Sequence, residues 1–408
     1  MDNKCINRRQ FIGKTTFSIF STSFGIPLLI INHESQNKKD EIIYRTLGRT
    51  KLQIPIISFG VMNSDSPDLL KKALEMGIKH LDTAHVYLRG NSEKVIGEVL
   101  EETGMRKKVY IATKMRFARD REENIFLPKG NAREPGATED NFNNQLNTSL
   151  RRLRSDYVDI LYVHSCYSQQ MATFEPLMMA LVKAKESGKA RFIGISTHKN
   201  TSEVIRAAVD TGVYDVIEVA YNFMMKDREE VKKAIQYATR KGLGIIAMKT
   251  QGGRHLSENR KDEINHKAAL KWLLNDENVC TTIPGMTTFD QMKLNFSVMS
   301  DLSLTDEEKK DLQLGYLRRG PLYCQNCRNC ISSCPYKVEI PNLMRAYMYA
   351  EGYGNLIQSV MTIDELPEYR GLDVCLNCCL CVASCRFGIN IKGRVRTLIE
   401  GGFYWTLR

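Results

Sequence analysis

Eight short apolar segments that alternate with longer helical segments are the feature of this sequence that most restricts its fold. The predicted strands are 54–62, 78–83, 109–114, 158–164, 191–196, 216–221, 244–249 and 281–284. Helices are predicted at 66–75, 92–102, 139–153, 175–186, 201–210, 228–240 and 261–274. Most strands lack polar alternation, as expected of parallel strands that are covered on both faces. Eight such units predict an α/β protein with a closed (β/α)8 barrel, a TIM barrel. An open doubly wound sheet is the alternative, weakened because no G-x-G-x-x-G follows the first strand.

Reactive side chains stand at the carboxyl ends of three consecutive predicted strands. Asp82 ends the second strand and Tyr87 follows it, Lys114 ends the third, and His164 ends the fourth. Barrel enzymes carry their chemistry at this end of the strands. A tyrosine titrates near 10, and a neighbouring ammonium lowers that pKa while a carboxylate holds the ammonium in place. These residues therefore predict a site that donates a proton to a carbonyl oxygen, with a neutral imidazole to orient it.

With these four residues in strand order, the chain resembles the aldo/keto reductase family over about residues 43–315. Segments 194–198, 221–222, 248–249 and 283–285 are also similar to the family. The resemblance implies that Tyr87 is the general acid/base, that Lys114 and Asp82 adjust its pKa, and that His164 orients the substrate. It further implies hydride transfer between a nicotinamide cofactor, NADP or NAD, and a small-molecule carbonyl or alcohol.

The cofactor contacts carried over from the family are Ser196 and Asn222 on the nicotinamide side and Asn295 on the adenine side. Two features depart from the family. Its cationic residues for the NADP 2′-phosphate are replaced here by Gly285, Met286 and Gln291, which removes much of the reason to prefer NADP over NAD. A long polar loop, 116–136, is expected to cover or shape the barrel mouth.

Eight of the 12 cysteines form two runs with the same spacing near the carboxyl terminus. The runs are Cys324, Cys327, Cys330 and Cys334, and Cys375, Cys378, Cys381 and Cys385. This is the bacterial ferredoxin spacing, in which the fourth cysteine of each run binds the cluster of the other run. We therefore assign Cys324, Cys327, Cys330 and Cys385 to one 4Fe–4S cluster, and Cys375, Cys378, Cys381 and Cys334 to a second.

Two other uses of these cysteines are less favoured. Structural zinc would leave the central cysteine of each run idle, and cysteines this close in sequence suit metal better than disulfides. The prediction for 316–408 is a small α+β ferredoxin-like iron–sulfur domain, in which Tyr347, Tyr349 and Tyr353 pack against the barrel. Cys166 and Cys280 are predicted to be buried structural thiols.

Residues 1–40 are interpreted as a signal and linker that precede the barrel at 41–315. Arg8 and Arg9 stand before a weakly apolar stretch at 15–31, which resembles a twin-arginine signal. The match is imperfect, since Asn7 replaces the usual Ser or Thr and no A-x-A-like cleavage site follows. The expected location is periplasmic or membrane-anchored, with membrane contact only through this segment, and the alternative is cytoplasmic.

The net charge of +11 does not indicate a nucleic-acid partner. The basic residues are scattered, and no basic stripe is interleaved with aromatic residues. The predicted function is an oxidoreductase whose carbonyl–alcohol chemistry is coupled to electron transfer through the two clusters, with a possible redox partner protein. The alternative function is an iron–sulfur electron-transfer subunit in which the barrel is mainly a docking scaffold.

Overall fold

The computed structural model describes residues 41–403 apart from 121, 132–133, 253–263, 319–323, 325 and 379. The described residues form one compact unit. The predicted signal at 1–40 lies outside them. In the described part of the chain, no helix is long and apolar enough to cross a membrane.

Eight parallel strands form a closed barrel, which confirms the predicted (β/α)8 architecture. They are β3 (Phe59–Gly60), β4 (His80–Asp82), β5 (Tyr110–Met115), β8 (Val158–Val163), β9 (Ala190–Thr197), β10 (Val216–Ala220), β11 (Gly244–Met248) and β12 (Thr281–Thr282). Neighbouring strands pair in chain order, and parallel bridges from Ile57 to Thr282 and from Gly60 to Gly285 join the first strand to the last.

The predicted first strand, 54–62, is wrong as a single element. Its first half is β2 (Gln53–Pro55), which pairs antiparallel with β1 (Tyr44–Thr46), and only its second half enters the barrel as β3. The hairpin closes the amino-terminal end of the barrel, because buried Leu47 packs against Gly244, the first residue of β11. A Cβ built at Gly244 would lie 2.6 Å from the Leu47 side chain, so this close approach requires glycine.

Ten α-helices follow the strands or flank the barrel in the described residues before the cysteine runs. They are α1 (Pro67–Glu75), α2 (Asn91–Thr103), α3 (Glu139–Arg152), α4 (Gln169–Ala172), α5 (Glu175–Glu186), α6 (Thr201–Asp210), α7 (Arg228–Arg240), α8 (His266–Leu274), α9 (Phe289–Phe296) and α10 (Asp306–Arg318). Ser66, Thr138 and Asn265 cap helices here, since each side chain accepts a hydrogen bond from a backbone N–H three residues on.

The described part of 316–408 is helical and contains no strand, so the predicted α+β ferredoxin-like topology is wrong in this respect. After α10 it contains α11 (Asn329–Ser332), α12 (Ile340–Tyr347), α13 (Leu356–Asp364), α14 (Leu372–Leu376) and α15 (Ile391–Glu400). Ile340, Leu343 and Met344 recur at helical spacing and form a separate small core with Leu372 and Leu398. The cysteine spacing restricts the conformation of the loops that carry the thiols. The apolar residues at helical spacing instead determine that helices pack beneath those loops.

Candidate active site

All four predicted catalytic side chains meet at the carboxyl ends of β4, β5 and β8. Lys114 is fully buried, and its Nζ donates to Asp82 Oδ1 and, at 2.9 Å, to the Thr83 carbonyl. The Lys114 Nζ lies 5.2 Å from the centre of the Tyr87 ring. The Tyr87 and His164 rings meet edge to face, with their centres 5.8 Å apart. Neighbouring parallel strands thus bring together residues that are far apart in sequence.

The electrostatics of Tyr87 differ from the sequence prediction. Burial raises the pKa of its hydroxyl, and although Lys114 lowers it, the nearby carboxyl groups of Asp82 and Glu218 raise it further. The expected net lowering of the Tyr87 pKa is therefore wrong, because the site is dry and holds two carboxyl groups for one ammonium. Tyr87 remains protonated and available to donate at neutral pH.

The charge states of the other site residues suit proton donation to a carbonyl. Burial lowers the pKa of Lys114, but Asp82 and Glu218 outweigh burial and raise it overall, so Lys114 keeps its charge. The pKa of His164 is well below its usual value, first because of burial and then because of Lys114 and the nearby arginines Arg116 and Arg119. His164 is therefore a neutral imidazole.

Glu218 belongs to this site and was missed from the sequence. Its Oε2 lies 3.2 Å from the Lys114 Nζ, and its side chain is 1% exposed. Burial, together with the neighbouring Asp82, raises the pKa of Glu218 to about 8. The signal that could have found it is a single charged residue inside an otherwise apolar strand, Val216–Ala220.

The three predicted nucleotide contacts lie along the mouth of the barrel. Ser196 Oγ accepts from the Ser165 N–H at 2.9 Å, beside His164. Asn222 Nδ2 donates to the Lys249 carbonyl at 2.9 Å, and Asn295 Oδ1 accepts from Gln251 Nε2 at 2.8 Å. The Ser196 hydroxyl hydrogen and the Asn295 amide hydrogens are left over from these bonds. The donor set therefore fits the amide and hydroxyl groups of a nucleotide.

The carboxyl-terminal helices lie over the mouth. Asn355 Nδ2 donates to Asn63 Oδ1 at 2.6 Å, and Glu365 forms an ion pair with Arg116. Tyr349 is buried and close enough to Tyr87 to raise its pKa. The polar loop that was expected to shape the mouth contains the hairpin of β6 (Arg119–Asp120) and β7 (Ile125–Phe126), and it begins at Arg116, which pairs with Glu365.

Thiols from the two cysteine runs lie near one another. The pKa of Cys330 is raised to about 11, first by burial and then by the neighbouring thiols of Cys324, Cys327 and Cys385. The pKa of Cys375 is raised to about 12, first by burial and then by the neighbouring thiols of Cys334, Cys381 and Cys378. The fourth cysteine of each run thus lies with the other run.

A small, partly open pocket is lined by all four cysteines of the second set together with apolar residues that include Ile340 and Val395. Within the described residues, no group of three or more His, Cys, Asp or Glu side chains is arranged to hold a metal ion. A cubane cluster binds each thiolate to a different iron atom, so its ligands need not converge on one point. Cys166 and Cys280 are buried, as predicted, and Cys379 lies outside the described residues.

Comparison with known proteins agrees with this geometry. The profile of the Aldo/keto reductase family matches residues 58–268, just over half of the chain. The chain belongs to the aldo/keto reductase family. The match covers the segments that carry Asp82, Tyr87, Lys114 and His164.

Curated relatives are about a quarter identical to this family member over the aligned segments. L-glyceraldehyde 3-phosphate reductase of Escherichia coli O157:H7 is 25% identical over 324 residues, 65% of this chain and 90% of the relative. Methylglyoxal reductase DkgB of Salmonella typhi is 28% identical over 59% of this chain and 84% of its own length. Versiconal hemiacetal acetate reductase of Aspergillus parasiticus is 27% identical over 50% of this chain and 65% of the relative, so the match spans just under two thirds of that protein.

Solved aldo-keto reductases share the fold. The Bacillus halodurans enzyme AKR11C1 superposes with a TM-score of 0.54 at 23% identity, over 67% of this chain and 96% of its own. PA4992 from Pseudomonas aeruginosa gives 0.52 at 21% identity, over 64% and 96%. At these identities the likenesses show the fold alone. The family and its reductase relatives make this protein an oxidoreductase that acts on carbonyl or alcohol groups.

Proposed function

We propose that this aldo/keto reductase interconverts a small carbonyl compound and its alcohol by hydride transfer with NADP or NAD, using Tyr87 as the acid/base. We further propose that two 4Fe–4S clusters carry the electrons to or from a redox partner protein. The observation that carries the first proposal is the buried Lys114, held by Asp82 beside the ring of Tyr87.

Each of the four catalytic residues would have a distinct role in the reaction. A bound nicotinamide supplies or takes the hydride. In the reducing direction Tyr87 gives its hydroxyl proton to the carbonyl oxygen, and the charge of Lys114 stabilises the tyrosinate that remains. Asp82 keeps Lys114 in place, and the neutral ring of His164 can orient the substrate oxygen without adding positive charge beside Lys114. In the oxidising direction the proton passes back to Tyr87.

The preference between NADP and NAD is left open in this proposal. Met286 and Gln291 are uncharged, so neither offers a cation to a 2′-phosphate. Met286 is also fully buried, and Gln291 Oε1 accepts from the Thr287 N–H at 2.8 Å. Two of the relatives are named for small aldehyde substrates, glyceraldehyde 3-phosphate and methylglyoxal. A small aldehyde or ketone is accordingly the substrate class we propose.

The cluster proposal is supported by the repeated cysteine spacing and by the two groups of thiols. Each cluster takes one electron at a time, and one hydride is equivalent to two electrons and one proton, which would be released to solvent. The pair could therefore pass the electrons of one turnover singly to a partner protein. Tyr349, which lies near Tyr87, belongs to the same carboxyl-terminal helical region as the thiols, so the two redox sites would be in one part of the protein.

Tyr87→Phe tests the catalytic role. Loss of the phenol hydroxyl removes the proton donor, and carbonyl reduction should fall by roughly 10²–10⁴-fold. The measurement is turnover of small aldehydes with NADPH or NADH by anaerobically purified full-length protein, with visible absorbance as a check that any clusters are unchanged. Turnover equal to that of the wild type would show that Tyr87 is not the acid.

We also propose export by the twin-arginine route, supported by Arg8, Arg9 and the weakly apolar stretch that follows them. Such export carries folded proteins, which suits a chain whose clusters are inserted before transport. Reduced nucleotide is scarce outside the cytoplasm, so the nucleotide would then travel bound or the clusters would replace it as the electron source. Lys substitution of both arginines should retain the protein in the cytoplasmic fraction, and unchanged fractionation would contradict export.

A further inference from the structure

A small pocket that is partly open to solvent lies between the barrel mouth and the carboxyl-terminal helices, and its lining is strongly positive. Five cations line it: Arg119, Lys199, Arg328, Arg345 and Arg370. Two carboxylates, Glu122 and Glu339, stand against them. We call this space the basic cavity.

The two carboxylates neutralise only one side of the basic cavity. Glu339 Oε1 accepts from Arg328 and Arg370 at 2.8 Å each, and Arg370 also pairs with Glu122. Within the described residues, Arg119, Lys199 and Arg345 have no carboxylate within ion-pair distance. Three positive charges therefore share a partly enclosed space without compensation.

The arrangement around Tyr167 shows how close these cations are. The Arg119 guanidinium carbon lies 4.6 Å from the Tyr167 ring centre, and the Lys199 Nζ lies 5.1 Å from it. Arg119 is 7% exposed, and its Nε has no hydrogen-bond partner in the part of the chain that the structure describes. A buried guanidinium with an unused donor costs free energy unless an anion accepts from it.

The neighbouring titratable groups respond to this charge. Burial would raise the pKa of Tyr167, but Arg119, Arg345, a hydrogen bond with Ser165 and Lys199 together outweigh it, and the pKa is lowered. The pKa of Lys199 is itself lowered, first by burial and then by Arg345, Arg119 and Arg328, although Tyr167 opposes the change. An anion in the basic cavity would relieve this repulsion.

The basic cavity adjoins the catalytic site. The Tyr167 hydroxyl and His198 Nε2 are 2.7 Å apart, and His198 is close enough to His164 and Arg345 for both to lower its pKa. Arg119 also acts on His164 directly. Arg119 Nη1 donates to the carbonyl of Ser165, the residue after His164, at 3.5 Å, so the basic cavity and the catalytic site are neighbours.

We propose that the basic cavity binds an anionic group of the substrate, a carboxylate or a phosphate, while the carbonyl of the same molecule lies beside Tyr87 and His164. The proposal rests on the proposed function and names its substrate class. Guanidinium groups bind both anions through paired N–H donors, so the shared chemistry is an oxyanion.

The test compares anionic aldehydes with neutral aldehydes of similar size. The pairs are 4-oxobutanoate with butanal and glyceraldehyde 3-phosphate with glyceraldehyde, assayed on the full-length protein. In Lys199→Met the ratio of kcat/KM for the anionic member over the neutral member should fall about 10- to 100-fold, the value of a hydrogen bond to a charged group. A larger fall of this ratio for the 4-oxobutanoate pair identifies a carboxylate as the bound group, and a larger fall for the glyceraldehyde 3-phosphate pair identifies a phosphate.

A binding measurement separates this inference from the proposed function. Succinate and inorganic phosphate are titrated calorimetrically into wild type, Lys199→Met, Arg345→Met and the control Lys72→Met, which changes an exposed lysine on α1. Weaker binding of either anion in the two cavity variants but not in the control supports the anion site, even if no aldehyde is reduced. Aldehyde reduction with an unchanged anionic-to-neutral ratio and unchanged anion binding in both variants would overturn the inference and leave the proposed function standing.

Discussion

Glu218 gives the catalytic centre a second carboxyl group, so that one ammonium, Lys114, faces two acids. Burial and the neighbouring Asp82 raise the pKa of Glu218 to about 8, whereas an unfolded chain would ionise this group near 4.5. The proton therefore resides on Glu218 at neutral pH, and Asp82 carries the charge that holds Lys114. This division keeps the net charge around Tyr87 near zero.

Glu218→Gln should change how stability depends on pH. Between about pH 4.5 and 8 the folded protein binds a proton on Glu218 that the unfolded chain has lost, so rising pH destabilises the fold by on the order of 1.4 kcal/mol per pH unit. Gln removes this contribution. Urea unfolding at pH 5.5 and 8.5 should show a smaller loss of stability in the variant than in the wild type.

Exposed Glu186 on α5 supplies the control. Glu186→Gln should follow the wild-type dependence, because its carboxyl group lies at the surface. Identical pH dependence in the wild type and Glu218→Gln would show that Glu218 is ionised in the folded protein.

At the scale of elements, the loop after β5 joins the barrel to α13. Arg116 follows β5, and its guanidinium pairs with Glu134 at 2.6 Å and with Glu365 at the end of α13. The second link, between Glu122 and Arg370, is nearer the surface, since Glu122 is 72% exposed and Glu365 only 14%. The two ion pairs connect the same two parts of the chain but differ in exposure to water.

Glu365→Gln should therefore cost more stability than Glu122→Gln. Loss of the half-buried partner leaves Arg116 with one carboxylate, and we expect about 1–3 kcal/mol from urea unfolding. The exposed pair should contribute less than about 1 kcal/mol, because water screens it. Equal losses in the two variants would contradict this difference.

At the scale of the molecule, the carboxyl-terminal helices serve both redox sites that we propose. They place Asn355 and Glu365 against the barrel mouth, and they carry the two groups of thiols on a small apolar core of their own. The basic cavity lies where these helices meet the barrel. The barrel alone would have an open mouth on this side, so the shape of the substrate site depends on both parts.

Pairs of cysteine variants test the crossed ligand assignment. We expect about eight iron atoms per chain in the wild type and about four in Cys324→Ser or Cys334→Ser. If the fourth cysteine of each run serves the other cluster, Cys324→Ser with Cys385→Ser loses one cluster only, and Cys324→Ser with Cys334→Ser loses both. Iron and acid-labile sulfide content measures this.

The opposite pattern in these double variants would show that each run binds its own cluster. Cys280→Ser is the matched control, because this buried thiol donates to the Thr46 carbonyl in the barrel and a hydroxyl can do the same. Its iron content should equal that of the wild type.

Much of the barrel was predictable, because each strand and helix is encoded over a short stretch of chain. The eight predicted strands overlap the observed ones, and α5, α6 and α7 have the predicted limits. The division of 54–62 into two elements was not predictable, since the antiparallel pairing of β1 with β2 depends on a partner that local patterning does not specify. The absence of strands from the described residues around the cysteine runs was not predictable, because the ferredoxin spacing describes only the loops.

The sequence by itself determined the alternating elements, the order of Asp82, Tyr87, Lys114 and His164 along them, and the two cysteine runs. These are properties of neighbouring residues and of periodicity, which local conformational preference and short-range spacing encode. The tertiary structure alone decided that Glu218 joins Lys114, that burial raises the pKa of Tyr87, and that Arg119, Lys199 and Arg345 share one cavity. Those outcomes depend on dehydration and on charges brought together from distant parts of the chain, and both exist only once the barrel and the carboxyl-terminal helices have packed.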